Sequence, residues 1–249
     1  MCTVTWCQAP GSSLLLFNRD EKKTRRPGLP PRVASQQAVT YISPRDAEHG
    51  GTWLWVNAFG LIAGLLNYYP QPPLPEPRMS ISRGLLLQSC VADPDLATLG
   101  KHLQTKDLSP YRPFTLIALQ PDHPARQWRW DGRHLAHDRM SPASLPLTSS
   151  SYRSTEVEAT RRETYRRLLS QTGRDSPDEA LLNRYHYQHW SECGAFSVCL
   201  LRDDAETESI SRIAVTQAEI RFSYMAKIPK TLQFRKTVHM TSPRVSVHA

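Results

Sequence analysis

Cys2 carries the chemistry around which this 249-residue chain is organised. Residue two is small enough for methionine aminopeptidase to remove the initiator Met, so the mature chain is expected to begin with a thiol and a free α-amine on one residue. An α-amine with an unperturbed pKa of about 7.7–8.0 can take a proton from the neighbouring thiol near neutrality without any histidine. A cysteine elsewhere in a chain is usually a small apolar side chain, so position two gains its weight from its surroundings. Asn18-Arg19-Asp20-Glu21 follows the apolar run Leu14 to Phe17. Polar groups at the end of a buried strand are costly unless paired, so Arg19 and Asp20 are expected to form an ion pair or a hydrogen-bonded network. A thiol in such an assembled site is expected to have a depressed pKa.

The elements that must position these groups are legible as hairpins. Thr3-Val4-Thr5-Trp6 has the β-branched and aromatic bias of a strand, Pro10-Gly11-Ser12-Ser13 reads as a turn, and Leu14 to Phe17 returns. This hairpin would deliver Asn18, Arg19 and Asp20 beside Cys2. A second hairpin repeats the design: Thr52 to Asn57, a turn at Asn57-Ala58-Phe59-Gly60, and Leu61 to Leu66 ending at Asn67. Between the two, residues 26–31 read as an irregular segment because of their prolines, and Ala38 to Ser43 as a strand. The Pro-rich stretch 70–78 forms a stiff loop suited to a lid.

Further along, Ser82 opens a helix to about Val91, and Asp95 caps another. Phe114 to Leu119 and Gln127 to Trp130 read as strands. The spacing predicts a helix over 154–171, with Thr155 and Glu158 as a capping box, an apolar line of Val157, Tyr165, Leu168 and Leu169, and wet arginines. A second helical piece spans 177–187. Strands are expected at 195–201, 208–215 and 219–225, and residues 230–249 as a flexible tail or an edge strand. Two helices between sets of antiparallel strands give an α+β class in one domain.

The opening Met-Cys and the literal Asn18-Arg19-Asp20-Glu21 resemble the NRDE family, whose animal members are called transport and Golgi organisation 2 proteins. Gly50-Gly51-Thr52-Trp53-Leu54, Leu65-Leu66-Asn67-Tyr68, Ser82-Arg83-Gly84, Phe114 to Ala118, and Gly194 to Cys199 with Arg202-Asp203-Asp204-Ala205 follow in the expected order. The resemblance implies a four-layer αββα sandwich of N-terminal nucleophile hydrolase type. Its hydrolases, such as bile-salt hydrolase and penicillin V acylase, cleave amides through an N-terminal Cys. Carried onto this chain, Cys2 would attack a carbonyl, Arg19 and Asp20 would orient its amine and thiol beside Asn18, and Asn67 would donate to the oxyanion. Here the Arg immediately precedes the Asp, whereas in the hydrolases it lies three residues earlier. A second oxyanion-side Asn has no counterpart in Thr148-Ser149-Ser150-Ser151, where Ser149 or Ser150 is the nearest substitute. Arg202 is the nearest candidate for a late arginine. Animal relatives also suggest an alternative, a non-catalytic haem or lipid binding and trafficking protein on the same fold.

Thirty-one Lys and Arg against 23 Asp and Glu give a net charge of +8. The cations are scattered and not interleaved with exposed aromatics, which excludes a stacking platform for nucleic acid and favours a field attracting anionic small molecules. No apolar run is long enough for a transmembrane segment, and no signal peptide is evident. Five cysteines without CxxC spacing fit a reducing, cytoplasmic compartment better than a disulfide framework. His186, His189 and Cys193 have metal-like residue types but lack a fourth ligand at a recognisable spacing, and no phosphate loop or nucleotide fingerprint exists, so no metal or cofactor is expected. Nothing in the sequence sets an oligomeric state.

Overall fold

The computed structural model describes residues 2–73, 77, 80–190 and 194–245. Strands β1 (Cys2–Ala9) and β2 (Ser12–Lys22) form the opening hairpin. It turns at Gly11, whose φ of +69° is strained for any residue with a Cβ. Cys2 pairs with Arg19, Thr3 with Asn18 and Val4 with Phe17. Side chains alternate along a strand, so Cys2, Val4, Trp6, Leu15, Phe17 and Arg19 share one face. Thr3, Thr5, Asn18 and Asp20 take the other.

The chain continues through β3 (Leu29–Gln36), β4 (Val39–Arg45), β5 (Leu54–Asn57) and β6 (Ile62–Asn67), then helices α1 (Arg83–Ser89) and α2 (Leu96–Thr105). Strands β7 (Phe114–Gln120), β8 (His123–Trp130), β9 (Leu135–Arg139) and β10 (Leu147–Ser149) precede helices α3 (Ser154–Ser170) and α4 (Glu179–His186). Strands β11 (Ala205–Val215), β12 (Glu219–Ala226) and β13 (Val238–Pro243) close the described chain. Among the described residues these make a six-stranded antiparallel sheet in the order β10-β1-β2-β11-β12-β13 and a seven-stranded one running β3 to β9 in sequence order.

The two sheets pack face to face. Helices α3 and α4 cover the outer face of the first through Tyr165, Leu168, Leu181, Leu182 and Tyr185. Helices α1 and α2 cover the second, where Leu86, Leu87, Leu99 and Leu103 meet Trp55, Leu116 and Trp128. The result is the expected αββα sandwich. Among the described residues no helix is long and apolar enough to cross a membrane, which says nothing of spanning strands.

Several local expectations fail for identifiable reasons. Residues 29–36 form an edge strand, and Pro30 and Pro31 are tolerated because the register shifts between Leu29 and Arg32. Residues 195–201 form no strand beyond a short 3₁₀ turn at Gly194–Phe196, because buried side chains satisfy their backbone instead. Arg161 donates to the carbonyls of Ala195 and Ser197, and Asn18 to that of Val198. The capping box is absent: α3 begins at Ser154 after a left-handed Arg153, so Thr155 lies inside the helix and Glu158 accepts from Ser154 Oγ at 3.0 Å. The arginines of α3 are not all wet, since Arg161 is fully buried.

Candidate active site

Cys2 lies at the floor of a cleft of about 650 Å³. Its chain end is held on both sides. Beyond the pairing with β2, the Cys2 N–H donates to Ser149 Oγ at 3.2 Å, and Thr148 Oγ1 donates to the Cys2 carbonyl at 3.2 Å. The Asp20 backbone N–H acts on the sulfur in the sense that favours the thiolate. Cys2 is 9% exposed, and this burial raises its thiol pKa; the Asp20 charge adds to the rise while Arg19 opposes it. With Met1 in place, the depression expected of the mature site is not seen. Loss of hydration disfavours the thiolate more than the nearby cation and N–H favour it.

Arg19 shares the face of Cys2 but is sealed in an ion-pair network. It contacts Glu208, Asp46 at 3.2 Å and Glu21 at 3.4 Å, and its guanidinium lies 4.2 Å from the Trp53 ring centre. Glu208 arrives by a β-bulge: Thr207 pairs with Asp20 and Ser209 with Arg19, leaving Glu208 as the extra residue. Arg25 closes the wall through Glu21 and Asp46, both at 2.7 Å, and Glu48 at 3.1 Å. Burial works to raise the Asp46 pKa, but the His49 and Glu48 N–H groups, Arg25 and Arg19 together hold it below the ordinary carboxylate range.

Asp20 and Asn18 point through the sheet toward the helices. Asp20 accepts from Thr207 Oγ1 at 2.6 Å and lies 3.6 Å from the guanidinium of Arg161, with both side chains fully buried. Arg161 also donates to Thr3 Oγ1 at 2.6 Å and Thr148 Oγ1 at 3.0 Å. The Asn18 amide donates to the carbonyls of His186 and Val198, so its oxygen accepts from His186 Nδ1 at 2.7 Å and His186 Nε2 accepts from Thr5 Oγ1 at 2.8 Å. Burial, with the Arg161 charge adding, lowers the His186 pKa to about 3, so the ring is neutral. Asn18 thus ties α4 to the hairpin and does not line the cleft.

Asn67, at the end of β6, lines the same cleft as Cys2, and its side-chain amide donates to Tyr69 Oη at 3.0 Å. Ser149 meets Cys2 from β10. Ser150 does not reach the cleft; its hydroxyl donates to the Tyr152 carbonyl at 2.6 Å and accepts the Tyr152 N–H. Arg202 does not line it either, being paired with Asp204 at 2.7 Å and stacked on Tyr152. The rim is completed by α1, which seats Arg83 beside the cleft. A Cβ on Gly51 would lie 2.4 Å from the Gly84 carbonyl carbon, so this close approach requires glycine.

Sequence reasoning passed over Arg161, Glu208, Asp46, Trp53 and Arg83. Arg161 carried a signal, since it falls four residues from both Val157 and Tyr165 on the packed stripe. For Glu208 there was none, because a bulge depends on the partner strand. Of the metal-like set, His186 is consumed by Asn18 and Thr5, His189 Nδ1 pairs with the Cys199 carbonyl, and Cys193 lies outside the described residues. Elsewhere Cys90, Asp93 and His102 place potential ligand atoms within 4.8 Å of one another. The cluster is closed on itself: His102 Nδ1 is 3.1 Å from Asp93 and the Cys90 thiol donates to the Leu86 carbonyl.

Solved structures share this architecture. A mutant of conjugated bile acid hydrolase from Clostridium perfringens superposes with a TM-score of 0.59 at 10% identity, covering 100% of this chain and 99% of that one. Penicillin V acylase from Agrobacterium tumefaciens gives 0.55 at 10%, covering 91% and 83%. The Caenorhabditis elegans N-acylethanolamine-hydrolyzing acid amidase ortholog gives 0.57 at 9%, covering 86% and 92%. At such identities the likeness establishes the N-terminal nucleophile hydrolase fold alone. No curated protein matches by sequence. The model of one family, Transport and Golgi organisation 2, matches residues 1–215, and this chain belongs to that family.

Proposed function

We propose that the protein is an N-terminal-cysteine amidohydrolase acting on a small amide or ester, in a single domain and in the cytoplasm. The observation that carries this is that Cys2, whose nitrogen donates to Ser149 Oγ, and Asn67 line one cleft. With Met1 removed, the nitrogen that now donates to Ser149 Oγ becomes an α-amine. Held there, it takes the thiol proton as sulfur attacks the substrate carbonyl, then delivers that proton to the leaving amine as the C–N bond breaks. Water hydrolyses the resulting thioester and restores the thiol. One N–H of the Asn67 amide engages Tyr69, leaving its second for the oxyanion, a contribution of about 3–4 kcal/mol to the barrier in comparable sites. Arg19 acts through the electrostatics of its network, and Asp20 through its backbone N–H and its charge. Asn18, Ser150 and Arg202 are assigned to the scaffold. Cys2, Cys7, Cys90 and Cys199 are all free thiols, which fits a reducing compartment.

The three solved relatives act, by their names, on a conjugated bile acid, a penicillin and N-acylethanolamines, which supports an amide-type substrate. Intact mass of the purified chain tests the first requirement, since a retained Met1 leaves an amide where the base must be. Labelling by a β-lactone or activated-amide probe, lost in Cys2→Ser, tests the second. A second reading, a non-catalytic carrier of haem or lipid, needs the cleft but not the nucleophile. Saturable haem binding, with no probe labelling, would replace the enzyme by the carrier.

A further inference from the structure

The two walls of the cleft differ in how their charges are met. On one, Arg19 and Arg25 are matched by Glu21, Asp46, Glu48 and Glu208. On the other stands Arg83. Arg83 is half-buried and donates to a backbone carbonyl, that of Pro113 at 2.9 Å; among the described residues no carboxylate pairs with it. Burial lowers its pKa and the Arg112 charge lowers it further, while Tyr69, the Cys2 sulfur and Glu21 act in the opposite sense. A desolvated guanidinium with no carboxylate partner among the described residues, within electrostatic reach of the nucleophile, is a site that an incoming anion stabilises. Among the described residues the apolar side chains that line the cleft are few. Trp53, Leu65 and Ile81 stand beside Cys2 among the described residues, and the rest of the lining is polar or charged.

We propose that Arg83 grips a carboxylate carried by the substrate, so that the cleft takes small, polar, anionic amides or esters in preference to amides of long apolar acyl groups. This rests on the hydrolase reading above and narrows it. The planar fork of Arg83 accepts a carboxylate in two parallel hydrogen bonds, which would fix the scissile carbonyl relative to Cys2. Lysine in its place keeps the charge but not the fork.

The test uses two isosteric chromogenic anilides, 5-acetamido-2-nitrobenzoate and 5-acetamido-2-nitrobenzamide, with the full chain after Met1 loss is verified by mass. The expected result is a kcat/KM about tenfold or more higher for the carboxylate, a ratio that collapses toward one in Arg83→Met and recovers in part in Arg83→Lys. A ratio near one in the wild type, or one retained in Arg83→Met, overturns the proposal even if both amides are cleaved by Cys2. If neither is cleaved, the hydrolase reading fails separately, and the same pair is titrated into Cys2→Ser with isothermal titration calorimetry as the readout. Preferential binding of the carboxylate, lost in Arg83→Met, then sustains the anion site on its own; equal or absent binding overturns it.

Discussion

Replacing Arg161 by Met removes the cation that, among the described residues, pairs with Asp20. In the native chain its guanidinium spans Thr3, Thr148, the carbonyls of Ala195 and Ser197, and the Asp20 carboxylate, all out of water. Methionine fills much of the volume but meets none of these acceptors. Breaking a buried pair by deleting one partner costs about 3–5 kcal/mol, because the surviving charge loses its counter-charge out of water. For a chain of this size each kcal/mol shifts Tm by about 2–4 °C, so Arg161→Met should melt roughly 6–20 °C below wild type. Neutralising the acid tests the cause: Arg161→Met combined with Asp20→Asn should recover about 1–3 kcal/mol relative to the single variant. Urea or thermal denaturation followed by circular dichroism reads all three. A Tm loss under about 3 °C in Arg161→Met, or a double variant no more stable than the single, would refute the electrostatic account.

Other expectations concern the thiol and the supporting residues. With Met1 retained, Cys2 should alkylate more slowly than free cysteine at pH 7 and speed up as pH rises, since burial raises its pKa; Asp20→Asn, by removing a charge that adds to the rise, should move the profile to lower pH. His186 is held neutral with a pKa of about 3 against an unfolded value of 6.5, so its contribution is complete above pH 6.5 and is lost as pH falls toward 3. His186→Gln should therefore show a shallower loss of stability between those limits in acid denaturation, whatever its stability at pH 7. Gly51→Ala would drive a Cβ into the Gly84 backbone, displacing α1 and Arg83; a stability loss of about 1–3 kcal/mol is expected, and wild-type melting with an unaltered carboxylate preference would count against the close packing described.

The opening hairpin was legible because its pattern is local. Alternating side chains and a glycine turn set Cys2 against Arg19 and send Asn18 to the opposite face, and the motif order carried the fold with them. Asn67 was legible in the same way, at the end of the second hairpin. Short-range pattern also located α2, whose Asp95 accepts the Thr98 N–H at 2.7 Å.

Tertiary structure decided the rest, because burial and charge pairing depend on partners far along the chain. Whether Cys2 is acidified or not follows from how deeply β10 and the second sheet enclose it, and no tetrapeptide encodes that. Asp20 and Arg161 are 141 positions apart in sequence and meet only when α3 packs on the hairpin. Glu208 enters the Arg19 network through a bulge defined by two strands at once. Residues 195–201 read as a strand by composition and lost that structure to the hydrogen bonds of Asn18 and Arg161, side chains whose reach into the backbone exists only in the assembled fold.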